Sequence, residues 1–261
     1  MTSDAPTMRS RPAAQSVIEK LLSLYEARPA QSGIERLFGV PLLRAEETSW
    51  YVGARGEIAV ASLLAKLPGE WTVLHSLPVG KSDTDIDHLL VGPAGVFTIN
   101  TKHHSGKPIW VAGSTFMVSG QKQNYIRSAE SEAARVSMLI AARMSLGTPV
   151  RSIIALVEPK QISIKEKPKH VTVIDARHLV KWLTKRPVVL GADEIAILVE
   201  LLESPDVWRK TDPFSVDARD RFAELHSGIR SAALRRGLWA AAGIGVLIVA
   251  ALAVLTHLPG I

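Results

Sequence analysis

Leu238 to Leu255 reads LWAAAGIGVLIVAALAVL, 18 consecutive residues without a polar or charged side chain. As a helix rising ~1.5 Å per residue, this run is about 27 Å long, close to the ~30 Å hydrocarbon thickness of a bilayer. A buried core helix is the usual reading for apolar runs of about 10–14 residues, and this one exceeds that. Trp239 stands at one rim, and Arg230, Arg235 and Arg236 precede it. Those are the aromatic and positive flanks of a membrane span whose preceding side stays in the cytoplasm. The expectation is a single-pass helix over residues 238–258 in the lipid bilayer of the cell membrane, with the N-terminal domain cytoplasmic. Met1 to Gln15 carries Asp4, Arg9, Arg11 and two prolines, and lacks the apolar stretch of a secretory signal. Ala241 and Gly245 make a small-xxx-small pair of the kind that supports helix pairing in lipid, although so alanine-rich a run produces such pairs by chance.

The rest of the 261 residues suffices for one medium domain with additions, or two small ones. No cysteine is present, which excludes a disulfide framework, thiolate zinc sites, iron–sulfur ligation and a cysteine nucleophile. Of the formal charge of +6, three units belong to Arg230, Arg235 and Arg236, leaving +3 for everything else. That surplus is modest support for a polyanionic partner.

Residues 1–48 read as an N-terminal extension, disordered to about residue 15, with a short helix over Val17–Ala27 and an irregular connector after Pro29. From Ser49 the pattern becomes α/β. A helix is expected from Gly56 to Leu67, and strands over Trp71–Leu77, Asp85–Val91 and Val96–Lys102. Gly92-Pro93-Ala94-Gly95 supplies a turn. A hairpin follows over Pro108–Ala112 and Thr115–Val118. Next come a helix from Tyr125 to Leu146, strands at Val150–Val157 and Val171–Ile174, and helices at Ala176–Thr184 and Ala192–Leu202. The α/β domain is placed at 49–210. A charged helical stalk over 211–237, with Phe222, Leu225 and Ile229 at helical spacing, leads to the span.

The chemistry-bearing stretch is DTDIDHLLVGPAGVFTINTKHH, Asp83 to His104. Asp85 and Asp87 alternate in a strand and so share one face. Two carboxylates in an apolar strand are costly unless paired, hydrated or holding a cation. Asn100 and Lys102 share a face of the next strand, and Glu57 opens the first helix of the domain. Such a set can converge on a space the size of Mg²⁺, which takes oxygen ligands. A cation of that kind activates water and clamps a phosphate, while a lysine steadies the developing charge.

These residues resemble the NERD (nuclease-related) domain of the PD-(D/E)XK nuclease-like group. The resemblance runs over residues ~50–210. It rests on Gly53-Ala54-Arg55-Gly56-Glu57, Asp85-Ile86-Asp87-His88, Gly92-Pro93-Ala94-Gly95-Val96-Phe97 and Ile99-Asn100-Thr101-Lys102, with Glu132-Ala133-Ala134-Arg135 and Trp208 following in order. It implies a central mixed β-sheet flanked by helices, a restriction-endonuclease-like core, joined here to the C-terminal span. It also implies a Mg²⁺-dependent nuclease site in which Glu57 and Asp87 hold the metal and Lys102 stabilises the transition state. Asn100 departs from the pattern, because an acidic residue is expected two before the lysine. An amide ligates without charge, so the same motif also suits a catalytically inert domain tethering a partner at the membrane. Nucleic acid, DNA first, is the partner the resemblance implies, with Arg55, Arg127, His103 and His104 as candidate contacts.

Blander readings stand beside these. Asp85 and Asp87 fit turn caps or partners for Arg55 or Lys81, Glu57 fits a helix-start macrodipole residue, and Lys102 fits an edge-strand gatekeeper. His103 and His104 point to opposite faces of a strand, which argues against zinc. The basic residues from Lys160 to Arg186 suit either phosphate contacts or a solvated surface. Trp182, in step with Leu179 and Leu183, reads as core rather than as a base-stacking platform.

Overall fold

A computed structural model describes residues 7–79, 85–144, 149–210 and 217–257. In chain order the elements are α1 (Gln15–Glu26), α2 (Gly33–Phe38), α3 (Ala45–Leu64), β1 (Thr72–Pro78), β2 (Asp85–Gly92), β3 (Gly95–His103), β4 (Pro108–Ala112), β5 (Thr115–Val118), β6 (Gln121–Gln123), α4 (Tyr125–Ala141), β7 (Val150–Val157), β8 (Gln161–Glu166), β9 (Val171–Asp175), α5 (Leu179–Thr184), α6 (Ala192–Glu203) and α7 (Ala218–His257). They fall into two compact units, Met1–Val17 with Tyr51–Phe214, and Ile18–Trp50 with Ser215–Ile261.

The first unit is built on a five-stranded mixed sheet in the order β1-β2-β3-β7-β9. β1, β2 and β3 are antiparallel neighbours, whereas β7 and β9 run parallel to β3. Alternation along β2 and β3 sends residues to both faces. Leu89, Val91 and Val96 pack with Val136 and Ile140 of α4 and Leu198 and Leu202 of α6. Leu90, Phe97 and Ile99 pack on the other side with Val60 and Leu64 of α3 and Leu179 and Leu183 of α5. This is the α/β class, mixed sheet flanked by helices, that the motifs implied. The expected hairpin of β4 and β5 has wider company: β6 and β8 join it in a four-stranded sheet, β6-β5-β4-β8. Its apolar face shares Ile126 and Ala129 of α4 with β7 and β9.

The β2–β3 turn falls where Gly92 and Gly95 face each other. Gly95 has a φ of +117°, in the region glycine favours, and a Cβ on Gly92 would come within 2.4 Å of the Trp71 ring.

Three expectations change. Residues 7–15, read as disordered, are tied to the sheet: Met8 is buried in the core with Leu74 and Leu77, Arg11 Nε donates to the Ser76 carbonyl, and the Gln15 amide donates to Ser76 Oγ. The connector after Pro29 contains α2 and the start of α3. And α3 begins at Ala45, so Glu57 lies mid-helix, which removes the helix-start reading for it. The long helix expected to reach Leu146 ends at Ala141, while Lys81, Asp83 and the start of the stalk at 211–216 lie outside the described residues.

The second unit contains α1, α2, the first turns of α3 and α7. Phe222 and Leu225 of α7 are buried, as the apolar stripe expected, together with Ile18, Leu21 and Leu22 of α1. From Leu238 the side chains turn outward: Leu238, Leu247 and Val249 are all about two-thirds or more exposed. By length and composition α7 is the one helix among the described residues able to cross a membrane.

Candidate functional site

The carboxylates and the lysine come together at the C-terminal end of β3, where α/β sheets with parallel strands place their ligand sites. Four elements contribute: Glu57 from α3, Asp87 from β2, Asn100 and Lys102 from β3, and Glu132 from α4.

Gly56 sets the approach of α3. A Cβ there would lie 3.0 Å from His103 Cβ and 3.4 Å from Thr101 Cγ2, so any larger residue would require α3 or β3 to give way. Glu57, the next residue, is buried. Its carboxyl is pushed well above the ordinary range, first by burial, then by the neighbouring Asp87 charge. Lys102 and a hydrogen bond from the Ala14 backbone act the other way. Asp87 Oδ2 accepts a hydrogen bond from the Thr101 amide at 2.6 Å, tying β2 to β3. Burial again raises its pKa, against the pull of Lys102. Asp85 lies on the same face of β2, but its partner is Arg209, Nη2 to Oδ1 3.5 Å, rather than Arg55.

Glu132 is the member that sequence reasoning did not place in the site. The α4 positions Ala129, Ala133 and Val136 are buried and bring the helix down on β7 and β3, which turns Glu132 toward Asn100. Asn100 Nδ2 donates to Glu132 Oε1 at 2.6 Å. Burial, then the Asp87 charge, push the Glu132 carboxyl up to about 7, while Lys102 and the Asn100 bond lower it. The position expected to be acidic is an amide, and a carboxylate from the adjacent helix meets it there. The run Glu132-Ala133-Ala134-Arg135 was the available signal, since two small residues beside an acid suit a helix face pressed on a sheet.

Lys102 Nζ sits 5.0 Å from the centre of the Tyr125 ring, a cation–π distance. On the same ring His104 stacks at 5.7 Å, its pKa lowered to about 4 by burial, with Lys107 and Lys102 adding to the effect. Of the candidate phosphate contacts, Arg55 and Arg127 are exposed. His103 is differently engaged: Nδ1 faces the Val52 carbonyl and Nε2 faces Glu158 Oε2, both at 3.1 Å. Both of its nitrogens are therefore occupied within the fold. His88 is fully buried, with Nδ1 2.8 Å from Nδ1 of His75 and Nε2 3.3 Å from Thr101 Oγ1. Trp182 packs edge-on against Phe97 at 6.1 Å, as a core residue.

Among the described residues, no three His, Asp or Glu side chains stand as a ready metal cage. Within this site two buried oxygens have no hydrogen-bond partner, Asn100 Oδ1 and Glu132 Oε2. Unpaired buried acceptors cost roughly 1–3 kcal/mol each, and an all-oxygen donor set suits a hard cation such as Mg²⁺. The residues present therefore fit a divalent metal chemically. The cavity beside Arg209 is lined by Pro78, Arg135, Met138 and Trp208, not by Glu57, Asn100 or Lys102.

A mixed sheet flanked by helices, with acidic side chains and a lysine gathered at the end of β3, defines an α/β domain with a candidate site at that strand end. Residues 52–157 match the family model of the nuclease-related domain, NERD, and α7 is long and apolar enough to cross a membrane. No curated protein and no solved structure matches it.

Proposed function

We propose that this protein is a membrane-anchored nuclease-related domain that binds nucleic acid, DNA first, and hydrolyses its phosphodiester bonds with a divalent metal. The observation that carries this reading is the Asn100–Glu132 hydrogen bond, through which α4 returns the carboxylate that the β3 motif lacks. Asp87, Glu132, Asn100 and Glu57 are the residues that would hold Mg²⁺. When bound, the cation supplies Lewis acidity and a more acidic bound water. Lys102 provides fixed positive charge for a phosphoryl oxygen as negative charge builds on it. With its carboxyl near 7 in the metal-free chain, Glu132 would give up that proton on binding the cation and then serve as a charged ligand. Arg55 and Arg127 are exposed and could reach phosphates from the surface in a sequence-independent, salt-sensitive way, although Arg55 also lies over the Tyr51 ring. In this reading the apolar part of α7 spans the bilayer, and the preceding Arg230, Arg235 and Arg236 support a cytoplasmic side for the nuclease-related domain.

The second reading is an inert NERD domain that tethers a partner at the membrane. The burial of Glu57 and Asn100 favours it, since a polymer must reach groups that are covered. The test is metal-dependent cleavage of labelled DNA and RNA by the full chain in lipid nanodiscs, alongside Asp87→Asn, Glu132→Gln and Lys102→Ala. Catalysis predicts losses of about 10²-fold or more in each variant. Equal silence of wild type and variants in Mg²⁺ and Mn²⁺, with salt-sensitive DNA binding retained, selects the inert module.

A further inference from the structure

The helix α2, GIERLF, lies outside the NERD match and carries an apolar face with no core to meet. Ile34, Leu37 and Phe38, at i, i+3 and i+4, share one side of the helix. They are 71 %, 56 % and 48 % exposed. Val40 follows, also exposed. A helix of six residues is not stable alone, and this one is framed closely. Ser32 and Glu35 form a reciprocal capping box at its start. Gly39 ends it with φ +67°, and a Cβ there would come within 2.3 Å of the Ala232 carbonyl oxygen. So α2 is fixed to α7 backbone against backbone, while its apolar side is left outward.

Where it is fixed matters. Arg236 Nη1 donates to the Gly39 carbonyl at 2.7 Å, and Trp239 Nε1 donates to the Leu37 carbonyl at 3.0 Å. The Phe38 and Trp239 rings are 5.0 Å apart. Trp239 is the rim of the apolar run. The exposed face of α2 thus continues the lipid-facing surface of α7 sideways, at the level where aromatic side chains sit in a bilayer interface. Arg36 on α2 and Arg236 at its contact with α7 are exposed, as is Arg230 further up α7, which complements anionic headgroups.

We propose that α2 lies in the membrane interface as a collar at the base of the span, with Ile34, Leu37 and Phe38 in the headgroup–acyl boundary and the arginines on lipid phosphates. The collar would fix the tilt and rotation of α7 where a lone span would be free to turn. This inference rests on the reading of α7 as a membrane span, and the experiment separates the two.

The absence of cysteine makes single-site labelling clean. Ile34→Cys and Leu37→Cys report on the collar, Val246→Cys on the span, and Lys122→Cys on the NERD domain. Each carries an environment-sensitive fluorophore in the full chain, reconstituted into phosphatidylcholine–phosphatidylglycerol vesicles. Quenchers are placed on the lipid either high or deep in the acyl chain. The expected result is blue-shifted emission at 34 and 37, quenched more by the shallow lipid, with 246 quenched more by the deep one and 122 by neither. Water-like emission at both 34 and 37 while 246 is quenched overturns the collar and leaves the span standing. An aqueous signal at 246 overturns both. A blue shift at 34 and 37 that no lipid quencher reaches means protein covers the face, and also overturns the proposal.

Discussion

Asn100 and Glu132, 32 residues apart in the chain, meet through a 2.6 Å hydrogen bond from the amide nitrogen to Oε1. The bond joins β3 to α4 at the one position where the β3 motif departs from the nuclease pattern. An aspartate at 100 would have to share this place with Glu132, and two carboxylates at such a distance cannot both ionise. The amide is therefore the residue compatible with an ionisable Glu132.

Asn100→Asp should consequently lower stability at pH 8 and do little at pH 5, where the pair can hold one proton. The loss expected at pH 8 is about 1–3 kcal/mol, read as a shift in urea midpoint. Mg²⁺ should recover it. A variant as stable as wild type at pH 8 without metal would show that the Asn100 side chain is not held against Glu132.

Glu132 itself gives a second measurement. Its folded-state carboxyl lies at about 7 against an ordinary value near 4.3, so in the interval between them the folded chain binds more protons than the unfolded one. Stability therefore falls as pH rises through that interval. Glu132→Gln cannot ionise and keeps an oxygen for Asn100. Relative to wild type it should gain on the order of 3 kcal/mol between pH 4 and pH 8. Mg²⁺ at pH 8 should raise the wild-type melting temperature and leave the variant unmoved. Parallel pH curves for the two proteins would remove Glu132 from the site.

Much of the first unit was legible because its strands are bounded by strong punctuation. The Gly92–Gly95 and Gly113-Ser114 turns mark β2, β3, β4 and β5 to within a residue or so. What escaped has physical reasons. β8, QISIKE, is largely exposed and its alternation is only two apolar residues long, Ile162 and Ile164, and β6 is three polar residues long. Met8 is a lone apolar side chain between Thr7 and Arg9, yet it is in the core, and a single residue has no period. Gly56 looked like a helix boundary because glycine weakens helices; it serves close packing inside one. Glu57, Asp87 and Lys102 could be named as candidates through the motif resemblance. Glu132 could not, because a helix pattern says which face is apolar, not which strand residue the flanking acid will meet.

Gly56→Ala tests that close packing. Helix propensity alone favours alanine by about 1 kcal/mol. Against it stand His103 Cβ at 3.0 Å and Thr101 Cγ2 at 3.4 Å, both anchored on β3, the middle strand of its sheet, where overpacking costs typically ~1–3 kcal/mol. The strand cannot give easily, so a net loss of stability is expected, with weakened coupling of Glu57 to Asp87. Gly69→Ala, where nothing lies within 4 Å, is the control and should be neutral. If Gly56→Ala stabilises the protein, α3 does not sit on β3 as described.

The pair of half-buried His75 and fully buried His88 should make the fold acid-sensitive. Their Nδ1 atoms are 2.8 Å apart, so one ring donates and the other must be unprotonated at that nitrogen. Burial lowers both pKa values, and for His88 the neighbouring His75 adds to it. The unfolded chain takes up protons as pH falls below about 6.5, whereas the folded pair resists them. The stability these residues contribute is thus complete above that pH and lost as pH falls toward their folded values. Glu132 works in the opposite direction over part of the same range, so the comparison must be internal. His75→Phe keeps an aromatic ring on β1 but removes one titrating group. It should lower stability at pH 7.5 by leaving His88 Nδ1 unpaired, by about 1–3 kcal/mol, and it should flatten the loss between pH 6.5 and pH 5. Urea midpoints of the two proteins across that range decide the matter. An unchanged slope would mean that the histidine pair is not what acid attacks.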